Sequence, residues 1–212
     1  MVNKRNKIIY KCVITLILLM ITVASIAPFI YLAVTSFVSD MSLVFKNGIA
    51  LKITPDMLDV SNYFLLWTED GGLFFSWFKN SVCITILFTI ISVLLSAMVG
   101  YGVQMYEFRG RKVIIIMIMS TMMIPLETLM IPLYNEVSKM HLLNTYMGVV
   151  LPFAVSAFTI YFFMQFAHSL SHEYMDAARI DGCGEIRIFT KIMGPLMKPA
   201  FASMIILQAT TA

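Results

Sequence analysis

Glu173-Tyr-Met-Asp-Ala-Ala-Arg-Ile-Asp-Gly182, running on to Ile192-Met-Gly-Pro195, is a polar stretch set between two long apolar runs. Upstream, Leu142–Ala167 carries no charge over 26 residues; downstream, Pro199–Ala212 is apolar for 14 residues. Acids gather at the start of the stretch (Glu173, Asp176), two small residues follow (Ala177, Ala178), and Gly182 and Gly184 then interrupt it. This is the pattern of a helix, a glycine joint and a second short helix, projecting from a membrane between two spans.

The rest of the chain supports that setting. Of 212 residues, 59% are hydrophobic and 13% charged, with a mean hydropathy of +0.85; soluble domains carry about 25% charged residues. The shortage of charge is concentrated in runs. Cys12–Ser39 has none over 28 residues, Asn80–Tyr106 none over 27, and Val113–Asn135 has only Glu127 over 23. A span takes about 20 apolar residues rising about 1.5 Å each. Together with Leu142–Ala167, four runs qualify. The run from Pro199 is still apolar at Ala212, so it reads as a fifth helix that the sequence leaves incomplete. The fold class expected is all-α, a polytopic membrane helix bundle.

Lysine and arginine set the orientation, because they accumulate on the cytoplasmic side. With the N-terminus inside, eleven fall inside: Lys4, Arg5, Lys7, Lys11, Arg109, Arg111, Lys112, Arg179, Arg187, Lys191 and Lys198. Four fall outside: Lys46, Lys52, Lys79 and Lys139. The polar stretch, bounded as 168–198, is then cytoplasmic. A basic start before an apolar run also suits a signal peptide, but the first run is longer than the about 7–15 residues of a signal core.

The net charge of +3 is accounted for by this topology. No basic patch with interleaved aromatics indicates a nucleic-acid partner. Cys12, Cys83 and Cys183 form no CxxC pair. No GxxxxGK[ST] loop is present to cradle ATP phosphates, and no nucleophile, base and orienting group occur together. The chain is therefore expected not to be an enzyme and to need no cofactor or metal. His168 and His172 share a helix face without completing a zinc set.

Between the first two spans, Asp40–Lys79 holds Pro55, Gly71-Gly72 and the aromatics Tyr63, Phe64, Trp67, Phe74, Phe75, Trp77 and Phe78. Aromatic rings suit the headgroup zone, so its second half reads as an interfacial helix, either a tether or a docking surface. Glu107-Phe-Arg-Gly110-Arg-Lys makes a tight inside turn. Pro125 and Pro132 each tend to kink the third span. Ser92, Ser96 and Gly100 lie on one face of the second span, a small-xxx-small pattern for close helix packing or for a dimer. Met117, Met119, Met122, Met123 and Met130 give the third span an adaptable surface, for packing or for repacking on pore opening. Glu127, the one acid inside a span, is about 22 Å along a straight helix from Lys112. It is either a polar pore lining or an interfacial acid.

In the polar stretch itself, Ser171 can cap the first helix, with Glu173 and Asp176 in the turns where the helix dipole favours acids. Gly182 and Gly184 end it. A second helix spans about Glu185–Met193, Gly194-Pro195 stops it, and Pro199 opens the fifth span.

At these residues the chain resembles the permeases of ABC importers. Their pattern is Glu-Ala-Ala, three residues, Gly, nine residues, Ile-x-Leu-Pro. Here Asp176-Ala177-Ala178, Gly182 and Ile192-Met193-Gly194-Pro195 keep every spacing. Asp176 replaces Glu with a shorter arm, and Gly194 replaces Leu, which loosens a packing contact. Phe78-x-Asn80-Ser81, Met123-Ile-Pro125, Ile131-Pro-Leu-Tyr134, Leu142-Leu-Asn-Thr-Tyr146, Ala177-Ala-Arg-Ile-Asp-Gly182 and Pro195-Leu-Met-Lys-Pro199, six motifs in order, extend the resemblance to the carbohydrate branch, in particular the maltose-type subunit without a periplasmic insertion.

The resemblance implies a type-1 transmembrane domain of six spans, of which about five are present. It divides the chain into an N-terminal helix with external segment, 1–78, and a permease core, 79–212. It implies an ATP-driven importer subunit for a sugar or oligosaccharide in a bacterial cell membrane. The partners implied are ABC ATPase subunits, a second permease and an extracytoplasmic solute-binding protein. The loop would dock in a cleft on the ATPase through Glu173, Asp176, Ala177, Ala178, Asp181, Gly182, Ile192 and Pro195. A permease for another solute is the nearest alternative. An ion-coupled secondary transporter would be expected to show paired broken helices or midplane ionisable groups in repeated halves, and none is visible in the sequence.

Overall fold

In the computed structural model, residues 4–38 and 58–212 are described, and most of them lie in helices joined by short turns. An isolated bridge, Val38 to Leu58, is the only β pairing among the described residues. Lys46, Lys52 and Pro55 of the expected outer segment lie outside them. The chain divides into two compact units, Met1–Trp77 and Phe78–Ala212.

In the first unit, α1 is Lys4–Thr35 and α2 is Ser61–Thr68. Asn62 Nδ2 ties the start of α2 to the end of α1, donating to the carbonyls of Ser36 (3.1 Å) and Val38 (2.7 Å). Ser36 Oγ and Tyr63 Oη, 2.7 Å apart, and the Phe37 and Tyr63 rings, 5.3 Å apart, complete the junction. A 3-10 turn, Glu69–Gly72, separates α2 from the next helix. The expected helix before the second span is thus present, as one of eight residues.

The long helix α3 is Leu73–Met105, beginning seven residues before the expected span because Leu73–Lys79 continue the same helical path. Gly110, at φ +90°, makes the expected turn into α4, Arg111–Thr121. The third apolar run is not a kinked rod. It breaks at Met122–Pro125, and α5, Leu126–Lys139, departs from α4 at 101°. Pro125 sits in extended backbone (ψ 134°) at the start of α5, whereas Pro132 lies inside it. The fourth run is also bent: α6, Tyr146–Val150, and a 3-10 turn, Leu151–Phe153, meet α7, Ala157–His168, at 51°. The hairpin follows as α8 (Glu173–Ile180), α9 (Glu185–Ile188), a π segment (Phe189–Met193) and α10 (Gly194–Leu196). The chain then enters α11, Lys198–Thr211, at a 79° bend, with Pro199 in its first turn as expected. By length and composition α1 and α3 are each sufficient to cross a membrane, and counting each bent pair as one span raises the number to five.

The core of the second unit is built on α3. Ser92, Val93, Ser96, Ala97, Gly100 and Tyr101 form its buried stripe, and α7 answers with Ile160, Phe163, Met164 and Ala167. A Cβ on Gly100 would stand 2.7 Å from the Ile160 carbonyl and 2.8 Å from Phe163 Cβ. The small-residue stripe therefore lets two backbones of the same chain touch. In lipid such contact holds helices together by dispersion, since tails are as apolar as leucine. On the same side, α4 lays Ile114, Ile115 and Ile118 against Val103, Ile160 and Met164.

Methionine fills the core, but not at the positions singled out in the sequence. Met105, Met175, Met193, Met197 and Met204 are buried in one cluster with Phe163, Ala167 and Ile188. Met117, Met119, Met122, Met123 and Met130 are exposed and contribute nothing to the chain's own core. One amide pins three helices: buried Gln208 of α11 donates from Nε2 to Thr159 Oγ1 on α7 and to Ser92 Oγ on α3.

Candidate functional site

The hairpin is held in the fold by one face and bare on the other. In α8, Met175 and Ala178, three apart, are buried among Tyr101, Phe163 and Met197, while Glu173, Asp176, Ala177 and Ile180 point outward. Tyr101 Oη, at the end of α3, donates to Met175 Sδ at 3.2 Å, and its ring lies 5.0 Å from that of Phe189. Ser171 Oγ accepts from the Glu173 amide at 3.2 Å, but the residue at the N-cap position of α8 is His172, one place later than expected, and its side chain makes no capping bond.

At the other end of α8, Gly182 has φ +77°. The Cys183 amide reaches the Ala178 carbonyl (2.9 Å) and the Gly182 amide the Arg179 carbonyl (3.0 Å). This pair is a Schellman cap, which requires a left-handed residue after the helix. Nothing lies within 4 Å of a Cβ built on Gly182, so the demand for glycine there comes from the backbone alone. Gly184 is extended and opens α9.

The second half departs from expectation. Gly194-Pro195 does not stop the helix, which continues to Leu196 and ends at Met197. Pro195 has no amide hydrogen, and the chain accommodates it by widening into the π segment, where the Gly194 amide bonds to the Phe189 carbonyl. A Cβ on Gly194 would lie 2.8 Å from that same oxygen. Glycine at 194 thus meets a close backbone approach; it does not merely loosen a packing contact.

The residues expected to act together therefore divide. Glu173, Asp176, Ala177, Asp181, Gly182 and Pro195 are exposed, whereas Ala178 is buried and Ile192 is half-buried against the core. Asp176 is also engaged within the hairpin: Arg179 Nη1 lies 3.3 Å from its Oδ1. Glu173 forms no ion pair among the described residues. Arg179 donates from Nε to Glu185 Oε1 at 2.8 Å, and Tyr106 Oη donates to Glu185 Oε2. The Arg179 guanidinium, then the Tyr106 hydroxyl, hold the Glu185 carboxyl below its usual value. Sequence reading missed Tyr106, Arg179 and Glu185. It also missed Ile180 and Ile186, which are 87% and 82% exposed on either side of the glycine joint.

Two other motifs meet in space. Tyr146 Oη donates to Asn80 Oδ1 at 2.6 Å, joining Phe78-x-Asn80-Ser81 to Leu142-Leu-Asn-Thr-Tyr146. Thr145 Oγ1 caps α6 by accepting from Gly148. Glu127 is exposed in the first turn of α5. The 22 Å straight-helix distance from Lys112 does not apply, because the helix breaks between them. A cleft of about 770 Å³ opens along the break between α4 and α5. Thr121, Ser156, Gln208 and Thr211 are its polar lining residues, and Glu127 is not among those that line it.

These features define a helical membrane protein with a projecting two-helix hairpin. Residues 92–212 match the family described as the binding-protein-dependent transport system inner membrane component. The chain belongs to that family. It is 39% identical over 201 residues to the arabinooligosaccharides transport system permease protein AraQ of Bacillus subtilis, covering 95% of this chain and 71% of the relative. Against the protein of that name from Halalkalibacterium halodurans it is 44% identical over 184 residues, covering 87% of this chain and 65% of the relative. Its fold matches a chain in the crystal structure of a bacterial ABC transporter involved in the import of the acidic polysaccharide alginate. There the TM-score is 0.78 at 27% identity, over 99% of this chain and 72% of that one. Both AraQ relatives are named as transport system permeases.

Proposed function

We propose that the chain is the membrane-spanning permease subunit of an ATP-driven importer for a sugar or oligosaccharide, and that the hairpin 168–198 docks a separate ATPase on the cytoplasmic side. The observation that carries the docking reading is the two-faced hairpin. Met175, Ala178 and Ile188 root it in the core, while Ile180 and Ile186 stand almost fully in the open around a glycine joint. Two large aliphatic side chains so exposed on a polar hairpin suit a partner's apolar cleft, and Glu173, exposed at the other end of α8, supplies a charge for its rim.

On this reading ATP-driven closure of an ATPase pair moves the hairpin, and the bent helix pairs α4–α5 and α6–α7 rearrange to open a path. Hydrolysis belongs to the ATPase. A second permease and an extracytoplasmic solute-binding protein complete the importer, in a bacterial cell membrane with the N-terminus inside. The carbohydrate assignment rests on the two AraQ relatives and on the six ordered motifs.

A photocrosslinker placed at Ile180 tests the docking. The expected result is capture of the ATPase subunit from the assembled complex, with no capture from the same probe at Ile131 of α5, which is also well exposed. Equal capture from both positions, or none from Ile180, overturns the assignment. Uptake of labelled neutral oligosaccharides by cells with and without the chain tests the substrate class.

A further inference from the structure

Tyr106, the first residue beyond α3, closes a three-membered cluster at the root of the hairpin. Its hydroxyl donates to Glu185 Oε2, Glu185 Oε1 accepts from Arg179 Nε at 2.8 Å, and Arg179 Cζ lies 5.8 Å from the centre of the Tyr106 ring. Each group touches the other two, and each comes from a different element: the end of α3, the last turn of α8 and the first residue of α9.

The placement matters because of what lies between. Arg179 and Glu185 flank the link 181–184 between α8 and α9, which contains Gly184 and the left-handed Gly182. The closed cluster braces that link against the end of α3, while the hairpin's buried face packs in one core with Phe163 and Ala167 of α7 and Met204 of α11. Tyr101, one turn and a half earlier in α3, grips the same hairpin through Met175 and Phe189. Two tyrosines from the last turns of one membrane helix therefore hold both arms. An ion pair this exposed adds little to stability, so the cluster's effect is on geometry.

We propose that Tyr106 is a positioning residue that makes the hairpin and the end of α3 move as one body, so that displacement of the hairpin's outer face is delivered to α3. The inference rests on the reading that this face docks an ATPase. Without the hydroxyl, Glu185 keeps Arg179 but loses its hydrogen bond to Tyr106, leaving Tyr101 to link the hairpin to α3 through Met175 and Phe189, so that less of the hairpin's displacement reaches residues 101–110.

The test uses the assembled transporter in lipid nanodiscs, with hydrogen exchange followed by mass spectrometry before and after adding a non-hydrolysable ATP analogue. In the unaltered complex both 173–188 and 101–110 are expected to change their exchange. In Tyr106→Phe the hairpin's response should persist, while that of 101–110 falls about fivefold or more, the low end of typical coupling between sites. Glu185→Gln keeps an acceptor for Tyr106 but loses the charge facing Arg179. It should give a smaller fall, and it serves as the test if Tyr106→Phe does not assemble. A response at 101–110 that is undiminished in both variants overturns the inference while leaving the docking reading intact. A hairpin that ignores the nucleotide analogue in the unaltered complex removes the docking reading, and this inference with it.

Discussion

Ala177 and Ala178 are neighbours in the chain with opposite surroundings. Ala178 is buried beside Met175 and Ile188, and Ala177 is exposed. Ala178→Leu is therefore expected to overpack the root of the hairpin, costing about 1–3 kcal/mol, read as a lower melting temperature of the purified chain. Ala177→Leu should leave melting unchanged and instead weaken co-purification of the ATPase. Glu185 offers a second check. Its carboxyl is held below the ordinary value of 4.5 by Arg179 and Tyr106, so its contribution to the folded hairpin is fully present above that value. The contribution is lost as pH falls through the depressed folded value. The difference in hairpin protection between the unaltered chain and Glu185→Gln should be constant across neutral pH and vanish in acid below 4.5. A difference that instead disappears on raising the pH would show that the carboxylate is not the favoured form.

Helices α3 and α7 meet where Gly100 faces Ile160 and Phe163. Any side chain there must displace the Ile160 carbonyl, which belongs to a helix and has little room to give. Gly100→Leu is expected to separate the two helices and destabilise the chain by about 1–3 kcal/mol, whereas Gly102→Leu, on the same helix with open space at its Cβ, should be near neutral. Comparing the two melting curves isolates the close approach from the loss of glycine. The stripe Ser92, Ser96, Gly100 was legible in the sequence as a contact surface, but both a neighbour in the chain and a second copy satisfied the spacing. Only the structure names α7 as the neighbour. The breaks were legible in part. Pro125 marked a disturbance of the third run, yet a proline permits anything from a modest kink to a right angle, and the 101° bend is set by how α4 and α5 pack. Gly194-Pro195 looked like a helix end because proline usually ends helices. A π segment absorbed it instead, and that choice depends on backbone contacts no local pattern encodes.

Across the second unit, two of the buried core hydroxyls, those of Thr159 and Ser92, meet Gln208 of α11. Removing it by Gln208→Leu leaves two buried hydroxyls without this partner. The expected cost is about 0.6–2 kcal/mol, the range for hydrogen bonds between membrane helices, read as loss of thermal stability in detergent with the helical content retained. Unchanged melting would mean that the amide is incidental to the bundle. Gln208 drew no notice in the sequence, because one amide in an apolar run carries no sign of the helices it faces.

What the sequence determined by itself was everything governed by order along the chain. Runs without charge dictated membrane helices, because a span must keep its polar backbone bonded internally and its side chains apolar. Spacing placed the glycine joint at Gly182, because a left-handed cap favours glycine whatever surrounds it. Six motifs in order marked the family. The tertiary structure alone decided which faces meet: that Ala178 turns inward and Ala177 outward, that Tyr106 reaches Glu185 79 positions away, and that the exposed methionines lie outside the chain's own core. In uniformly apolar helices polarity gives no phase, so rotation is settled by small residues, by a few buried hydrogen bonds and by close contact between backbones, and these exist only once the helices are assembled.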